Sequence, residues 1–308
     1  MTTTRGLLVV EPGLLTTVQD LGRHGWAPYG VPAAGALDEE AVRLANRLAG
    51  NAEGAAALEV TLVGPVLRAA GDLGVAVAGG AFGPAPGRVL HVRDGEILSL
   101  AAAPGATRAT VAIGGGIDVP LVLGSRSTCL SGHFGGFQGR RLLRGDFLAV
   151  FPASAPPLEK ARADLPQPGP GGVVLRAIAG PDEAEFDAGA CAAFWDTSWK
   201  ILPESNRMGV RLSGSSLGLV ETASRASEGT TPGSVQVTAD GHPIVLLNEG
   251  PTTGGYPKIA VVAAADLGLL VRTPPGRTVR FERISLAEAR NLYARREARL
   301  RAFQGGRT

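Results

Sequence analysis

Within seven residues, Thr252-Thr253-Gly254-Gly255-Tyr256-Pro257-Lys258, the chain gathers two hydroxyls, two glycines, a phenol and an ammonium. Hydroxyls and an ammonium donate hydrogen bonds to oxygen, and glycine lets a ligand approach the backbone. Apolar runs flank the segment, Pro243–Leu247 before it and Ile259–Ala265 after it. Polar chemistry mounted between two buried strands is how a rigid scaffold presents a site. A long hairpin loop shaped by glycine has the same spacing, and residue types alone do not separate the two readings.

Other segments carry chemistry less densely. Gln19-Asp20-Leu21-Gly22-Arg23-His24-Gly25-Trp26 combines an acid, two potential cations and an indole, as a ligand-facing loop or a turn capped by Asp20. Ser125-Arg126-Ser127-Thr128 and Gly132–Arg141 surround Arg126 and Arg140 with glycines and hydroxyls, a setting that can grip a carboxylate; a surface loop with solvated arginines fits equally. Ser205–Leu212 alternates polar and apolar residues, which puts Arg207 and Arg211 on one strand face with Val210 and Leu212 opposite. The two cysteines, Cys129 and Cys191, are far apart and offer no CxxC; Cys129 reads as a small buried residue rather than a nucleophile. His24, His91, His133 and His242 lack metal-ligand spacing, so no structural zinc is expected. Gly114-Gly115-Gly116 lacks the Lys-Ser/Thr ending of a phosphate loop and reads as a turn or bulge.

The elements that must position these residues are short strands and tight turns. With 44 glycines and 22 prolines in 308 residues, the chain is turn-rich, and a mainly β fold follows. Strands are expected at Leu7–Val10, Leu58–Leu62, Val75–Ala78, Val89–Val92, Ile97–Leu100, Arg108–Ile113, Val173–Ile178 and Thr278–Phe281. Asp94-Gly95 and Asp240-Gly241 read as hairpin turns, because both residue types tolerate positive φ. A helix opens at Asp38, with Glu39 and Glu40 in its first turn and Ala41, Leu44, Ala45 and Leu48 on one face, and ends at Gly50-Asn51. Ser285 and Glu288 form a capping box ahead of a basic helix that runs to about Phe303. The Pro-, Ala- and Gly-rich stretch 152–172 is the expected linker between two domains, 1–160 and 173–304. A net charge of +2 leaves no footprint for nucleic acid or an anionic membrane. Met1–Arg5 contains no apolar signal core, no apolar run is long enough to span a bilayer, and the chain reads as cytoplasmic.

Several motifs in order resemble one family. VQDLGRHGW (18–26), GVPAAGALDEEAVRLANRLAGN (30–51), LEVTLVGP (58–65), GGIDVPLVLGSRST (115–128), GGFQGRRLLRGD (135–146), SNRMGVRLSG (205–214), SEGTTPGSVQV (227–237), TTGGYPKIAVV (252–262) and PPGRTVRF (274–281) are similar to the biotin-dependent carboxyltransferase family. That family takes in the second subunit of allophanate hydrolase, the C-type subunit of bacterial 5-oxoprolinases, the carboxyltransferase part of urea amidolyase and a sporulation-kinase-inhibitor antagonist. The resemblance implies two β-barrel-like domains, the C-terminal one cyclophilin-like, to which the residues themselves add a few short helices and a C-terminal helix. There are departures: Pro251 stands where the family carries Gln in an acid–x–Gln sequence, Arg272 where a Gln follows the last long strand, and Thr238 where a Pro follows GxxQV.

The resemblance further implies work inside a complex: ATP-dependent opening of 5-oxoproline to glutamate with an A-type subunit and a paralogous B-type subunit, ATP belonging to the complex. One alternative is the carboxyltransferase subunit of a urea carboxylase-type enzyme, served by a biotin carrier. Another is a non-enzymatic regulator that binds a kinase-inhibitor partner. Under the first reading the substrate is a small amide or lactam. Donors to its carbonyl oxygen are Thr252, Thr253, the backbone of Gly254 and Gly255, and Lys258. Tyr256 positions substrate or shuttles a proton beside Lys258. Arg207 and Arg126 bind a carboxylate, Ser205 and Gln236 add neutral contacts, and Asp20 is a further acid/base candidate.

Overall fold

The computed structural model describes residues 4–220 and 226–303. They form two compact units. The first takes in the chain up to His24, Ala34–Gln167 and the end from Leu300; the second takes Gly25–Ala33 and Pro168–Arg299. The stretch expected as a linker stays with the first unit as far as Gln167. Long-range contacts hold it there: Leu158 N donates to Leu48 O and Ala163 N to Gly87 O (both 2.8 Å), and Ala161, Ala163 and Leu165 are buried.

In the first unit the strands are β1 (Gly6–Glu11), β2 (Leu15–Gln19), β3 (Ala57–Thr61), β4 (Val66–Ala70), β5 (Leu73–Gly79), β6 (Val89–Val92), β7 (Ile97–Ser99), β8 (Arg108–Ile113) and β9 (Phe147–Ala149). They make two sheets, ordered β7-β4-β1-β9 and β2-β3-β8-β5-β6, that share one apolar core. Strand β5 shows how a period of two serves both faces: Val75 and Val77 enter that core, while Ala76 and Ala78 pack under helix α1 (Glu39–Leu48). Small side chains there let the helix lie close to the sheet. The expected cap is present, with Asp38 Oδ1 accepting Ala41 N at 3.1 Å. The glycine run is a packed turn: Gly116 N returns to Ile113 O at 2.8 Å, and a Cβ at Gly115 would lie 1.9 Å from Phe151 O.

The second unit is a closed barrel. Its strands are β10 (Gly172–Ala179), β11 (Trp199–Ile201), β12 (Gly209–Ser213), β14 (Ser234–Val237), β15 (Pro243–Leu246), β17 (Lys258–Val262) and β18 (Thr278–Arg283). The order around the barrel is β10-β17-β14-β15-β12-β11-β18, and the closing pair β10–β18 is parallel. Closure leaves no free edge among these strands. Two further strands, β13 (Glu228–Gly229) and β16 (Thr253–Gly254), pair as a small ribbon. Helix α2 (Ala188–Asp196) places Phe194 in a stack on Phe281, with ring centroids 4.5 Å apart. Helix α3 is Leu267–Arg272, and helix α4 is Leu286–Ala302 with the expected Ser285–Glu288 box. No helix among the described residues is long and apolar enough to cross a membrane.

Two expectations fail. Asp94-Gly95 turns the chain but closes no hairpin, because β6 pairs with β5 and β7 with β4, in different sheets. Arg207 and Arg211 do not share a strand face: β12 begins at Gly209, Arg211 is exposed on it, and Arg207 lies buried before it. Alternation is a rule for paired strand residues, and Arg207 is in the preceding turn.

Candidate functional site

The hairpin beneath the site forms as its turn chemistry dictates. Val237 faces Pro243 across β14–β15, and Gly241 takes φ +80°. On the other side of β14, Gln236 faces Lys258 at a bulge in the β14–β17 ladder. Bulges re-aim side chains and are common beside sites. Both side chains are buried.

Lys258 is enclosed by two carboxylates. Its Nζ lies 3.0 Å from Glu228 Oε2 and 3.4 Å from Asp182 Oδ2. Asp182 Oδ2 also accepts the Lys258 backbone N–H at 2.8 Å, and Asp182 N donates to Lys258 O at 3.3 Å. The chain reaches this position because it turns sharply after β10. A Cβ at Gly180 would lie 2.0 Å from Lys258 O, so the close approach requires glycine. A buried ammonium needs compensating charge, and these carboxylates supply it.

The polar loop sits over this cluster. Glu228 pairs with Gly254 and Gly229 with Thr253 in the β13–β16 ribbon, and Thr230 N donates to Thr252 O at 3.0 Å. Gln236 Nε2 donates to Tyr256 O at 3.3 Å. A Cβ at Gly254 would lie 2.7 Å from Gln236 Nε2, so the glycine admits the amide against the loop backbone. Thr253, Gly255 and Tyr256 are exposed. The structure therefore gathers Gln236, Thr252, Thr253, Gly254, Tyr256 and Lys258 in one ribbon-and-strand assembly. An ammonium, a primary amide and hydroxyls so grouped can donate to a carbonyl or carboxylate oxygen.

Arg207 and Ser205 stand differently. Arg207 Nε donates to Glu249 Oε1 at 2.6 Å, with 3% and 2% of the two side chains exposed. The guanidinium is thus matched internally rather than presented to solvent. Glu249 N returns to Arg207 O at 3.2 Å, and Leu247 N to Met208 O at 2.9 Å, so the pair holds the turn from which the Thr252–Lys258 loop departs. Ser205 Oγ donates to Leu202 O at 2.7 Å and accepts Arg211 N at 3.0 Å, closing its own turn.

Asp20 and Arg126 belong to the first unit. Asp20 Oδ1 accepts Gly22 N at 2.8 Å and Ser125 Oγ at 2.6 Å, and Oδ2 accepts Arg126 N at 2.5 Å. Its oxygens are engaged in clamping the Ser125–Thr128 loop, with Ser125 and Ser127 fully buried. The Arg126 guanidinium lies over the Phe151 ring, 5.1 Å from its centroid. Arg140 makes paired bonds to Asp146 at 2.7 and 2.9 Å, so the anion grip considered for that segment is filled by its own turn.

Sequence reasoning missed Asp182 and Glu228. They lie 76 and 30 residues from Lys258, and no local pattern links them. The tight Gly180-Pro181-Asp182 turn after a strand was the available signal. Among the described residues no group of three or more His, Cys, Asp and Glu side chains is placed to hold a metal ion.

Comparison with known proteins is consistent along the chain. A family model, the carboxyltransferase domain, subdomain A and B, matches residues 29–283. The chain is 39% identical over 290 residues to the C-type 5-oxoprolinase subunit of Escherichia coli K12, covering 92% of this chain and 93% of that one. It is 36% identical over 289 residues to the C-type 5-oxoprolinase subunit of Haemophilus influenzae, covering 91% and 92%. Among solved structures, the Kluyveromyces lactis urea carboxylase superposes with a TM-score of 0.91 at 32% identity, over 99% of this chain and 30% of that one.

Proposed function

The chain belongs to the carboxyltransferase domain family, subdomains A and B, and from that premise we propose that it is the C-type subunit of an ATP-dependent 5-oxoprolinase. What carries this reading is the match over 92% of this chain and 93% of the bacterial 5-oxoprolinase subunit, against 30% of the urea enzyme's chain. In this reading it works with A-type and B-type subunits in the cytoplasm and is inactive alone. ATP is handled by the complex, and its hydrolysis drives the ring opening. The lactam C–N bond breaks, water supplies the new carboxylate oxygen, and the ring nitrogen becomes the amine of glutamate.

The role of this chain is to receive the amide-type substrate on the Thr252–Lys258 loop. Lys258, the Gln236 amide and the Thr252 and Thr253 hydroxyls direct donors at the carbonyl oxygen, with the backbone of Gly254 and Gly255 alongside. Tyr256, half-exposed at the rim, orients the substrate. Arg207 acts on the loop through Glu249, and Asp20 and Arg126 act within their own unit. The deciding experiment is glutamate release from 5-oxoproline and ATP by this chain co-expressed with its A-type and B-type partners, each of the three left out in turn. Loss of release without this chain is expected, as is loss in an assembled Lys258→Ala complex. A folded, associated set that releases no glutamate would overturn the reading.

The superposition on a urea carboxylase favours one second reading, a carboxyltransferase component. It requires turnover that depends on bicarbonate and a biotinylated carrier, and the same set of partners tests it.

A further inference from the structure

We propose that Glu228 is a displaceable counter-ion of Lys258, and that the ligand taking its place carries a carboxylate. This rests on the Thr252–Lys258 loop being the substrate site. The lysine has two carboxylate partners of different kinds. Asp182 is buried and also holds the Lys258 backbone N–H, so it is built into the path of the chain. Glu228 is the nearer partner, at 3.0 Å, yet 54% of its side chain is exposed. A buried ammonium must keep compensating charge, whereas a half-solvated carboxylate holds it weakly. Exchange of Glu228 for another carboxylate therefore costs little, and exchange for a neutral group leaves the ammonium under-compensated.

The position of Glu228 points to the same exchange. It lies directly opposite Gly254 in the β13–β16 ribbon. Residues directly opposite in an antiparallel pair project to one face. On that face Gly254 contributes no side chain, and the Gln236 amide stands where its Cβ would point. Gln236 is in turn the cross-strand partner of Lys258. A carboxylate laid along Gly254 meets the amide N–H and approaches the ammonium from the side Glu228 now occupies. The site thus selects a lactam or amide that bears its own carboxylate, and a neutral urea has no charge to replace Glu228.

The test measures binding of 5-oxoproline and of neutral 2-pyrrolidinone to the assembled complex, wild type and Glu228→Gln, by equilibrium dialysis. Acetylation of Lys258 is followed in parallel by mass spectrometry. The chain has three lysines, and the exposed Lys160 and Lys200 serve as internal references. Glu228→Gln is expected to tighten 5-oxoproline binding about two- to fivefold, the worth of an exposed ion pair, and to leave 2-pyrrolidinone unchanged. Lys258 acetylation is expected to rise in the variant and to fall when 5-oxoproline is added to the wild type. The proposal is overturned if 5-oxoproline does not bind, if the variant weakens it, if both ligands shift alike, or if Lys258 acetylation ignores both changes. Charge-dependent binding without glutamate release would sink the proposed function and leave this inference standing. Glutamate release without charge dependence at position 228 would do the reverse.

Discussion

Arg207 Nε and Glu249 Oε1 meet at 2.6 Å inside the barrel unit, with almost none of either side chain reaching solvent. Removing one member leaves a buried charge without its partner, which costs about 3–5 kcal/mol. Glu249→Ala and Arg207→Ala are each expected to lower stability by that amount in urea unfolding. Replacing both with apolar residues of similar size should recover much of the loss. If the single variants unfold like the wild type, the pair does not hold the turn ahead of the loop.

Asp20 makes the equivalent prediction for the first unit. Its carboxylate takes three hydrogen bonds, from Gly22 N, Ser125 Oγ and Arg126 N. Asp20→Ala strands those donors and should destabilise by more than about 3 kcal/mol, because bonds to charged groups are worth about 1.5–3 kcal/mol each. Asp20→Asn retains an acceptor and should lose less. A full-activity Asp20→Asn complex is expected if Asp20 clamps a loop and takes no proton.

Gly254→Ala displaces one donor of the loop, the Gln236 amide, without removing it. The new Cβ meets Gln236 Nε2 at 2.7 Å, the far end of a flexible side chain, so the amide shifts and the backbone stays. Stability should change by less than about 1 kcal/mol. Activity of the complex should fall with the Gln236→Ala variant, and wild-type rates in Gly254→Ala would remove Gln236 from the site.

Part of the acid sensitivity should trace to Arg140 and Asp146. Hydrogen bonding from Arg140 holds the Asp146 carboxyl below its ordinary value, with the Leu143 N–H adding to it and partial burial opposing. The folded chain therefore binds this proton less readily than the unfolded chain. The stabilisation is fully present above the unfolded value of about 3.9 and is lost as pH falls through the lower folded value. Asp146→Asn should flatten that part of the stability profile below about pH 4, leaving the neutral region less stable.

Cys191 should be a slow thiol. Burial pushes its pKa up, the Glu183 and Asp187 carboxylates push it further, and Arg283 opposes them. The thiolate is the reactive form, so alkylation at pH 7 should lag behind that of an ordinary cysteine and should still be rising with pH where an ordinary thiol, with its pKa of about 8.5, is already ionised. Rapid labelling of Cys191 at neutral pH would contradict this environment.

Much of the scaffold was legible from consecutive residues. Val89–Val92 and Arg108–Ile113 are strands with the expected bounds, Asp240-Gly241 turns the hairpin, and Asp38 and Ser285 cap their helices. Each rests on a local cause: side-chain periodicity, tolerance of positive φ, or an oxygen within reach of a helix N-terminus. The chemistry of the Thr252–Lys258 loop was legible too, because hydroxyls, glycines and an ammonium keep their capacities wherever the fold carries them.

What the residues become to one another was decided by the tertiary structure. Arg207 and Arg211 look alike in the sequence, yet one is buried against Glu249 and the other is exposed on β12. The strand begins between them, and the alternation that applies to Arg211 does not extend back to Arg207. Lys258 acquires Asp182 and Glu228 because β10 and β14 flank β17 in the closed barrel and the β13–β16 ribbon lies over it. Residue types and turn chemistry are properties of neighbours along the chain. The pairing of charges depends on strand order and register, which arise from many long-range contacts that no single stretch of sequence contains.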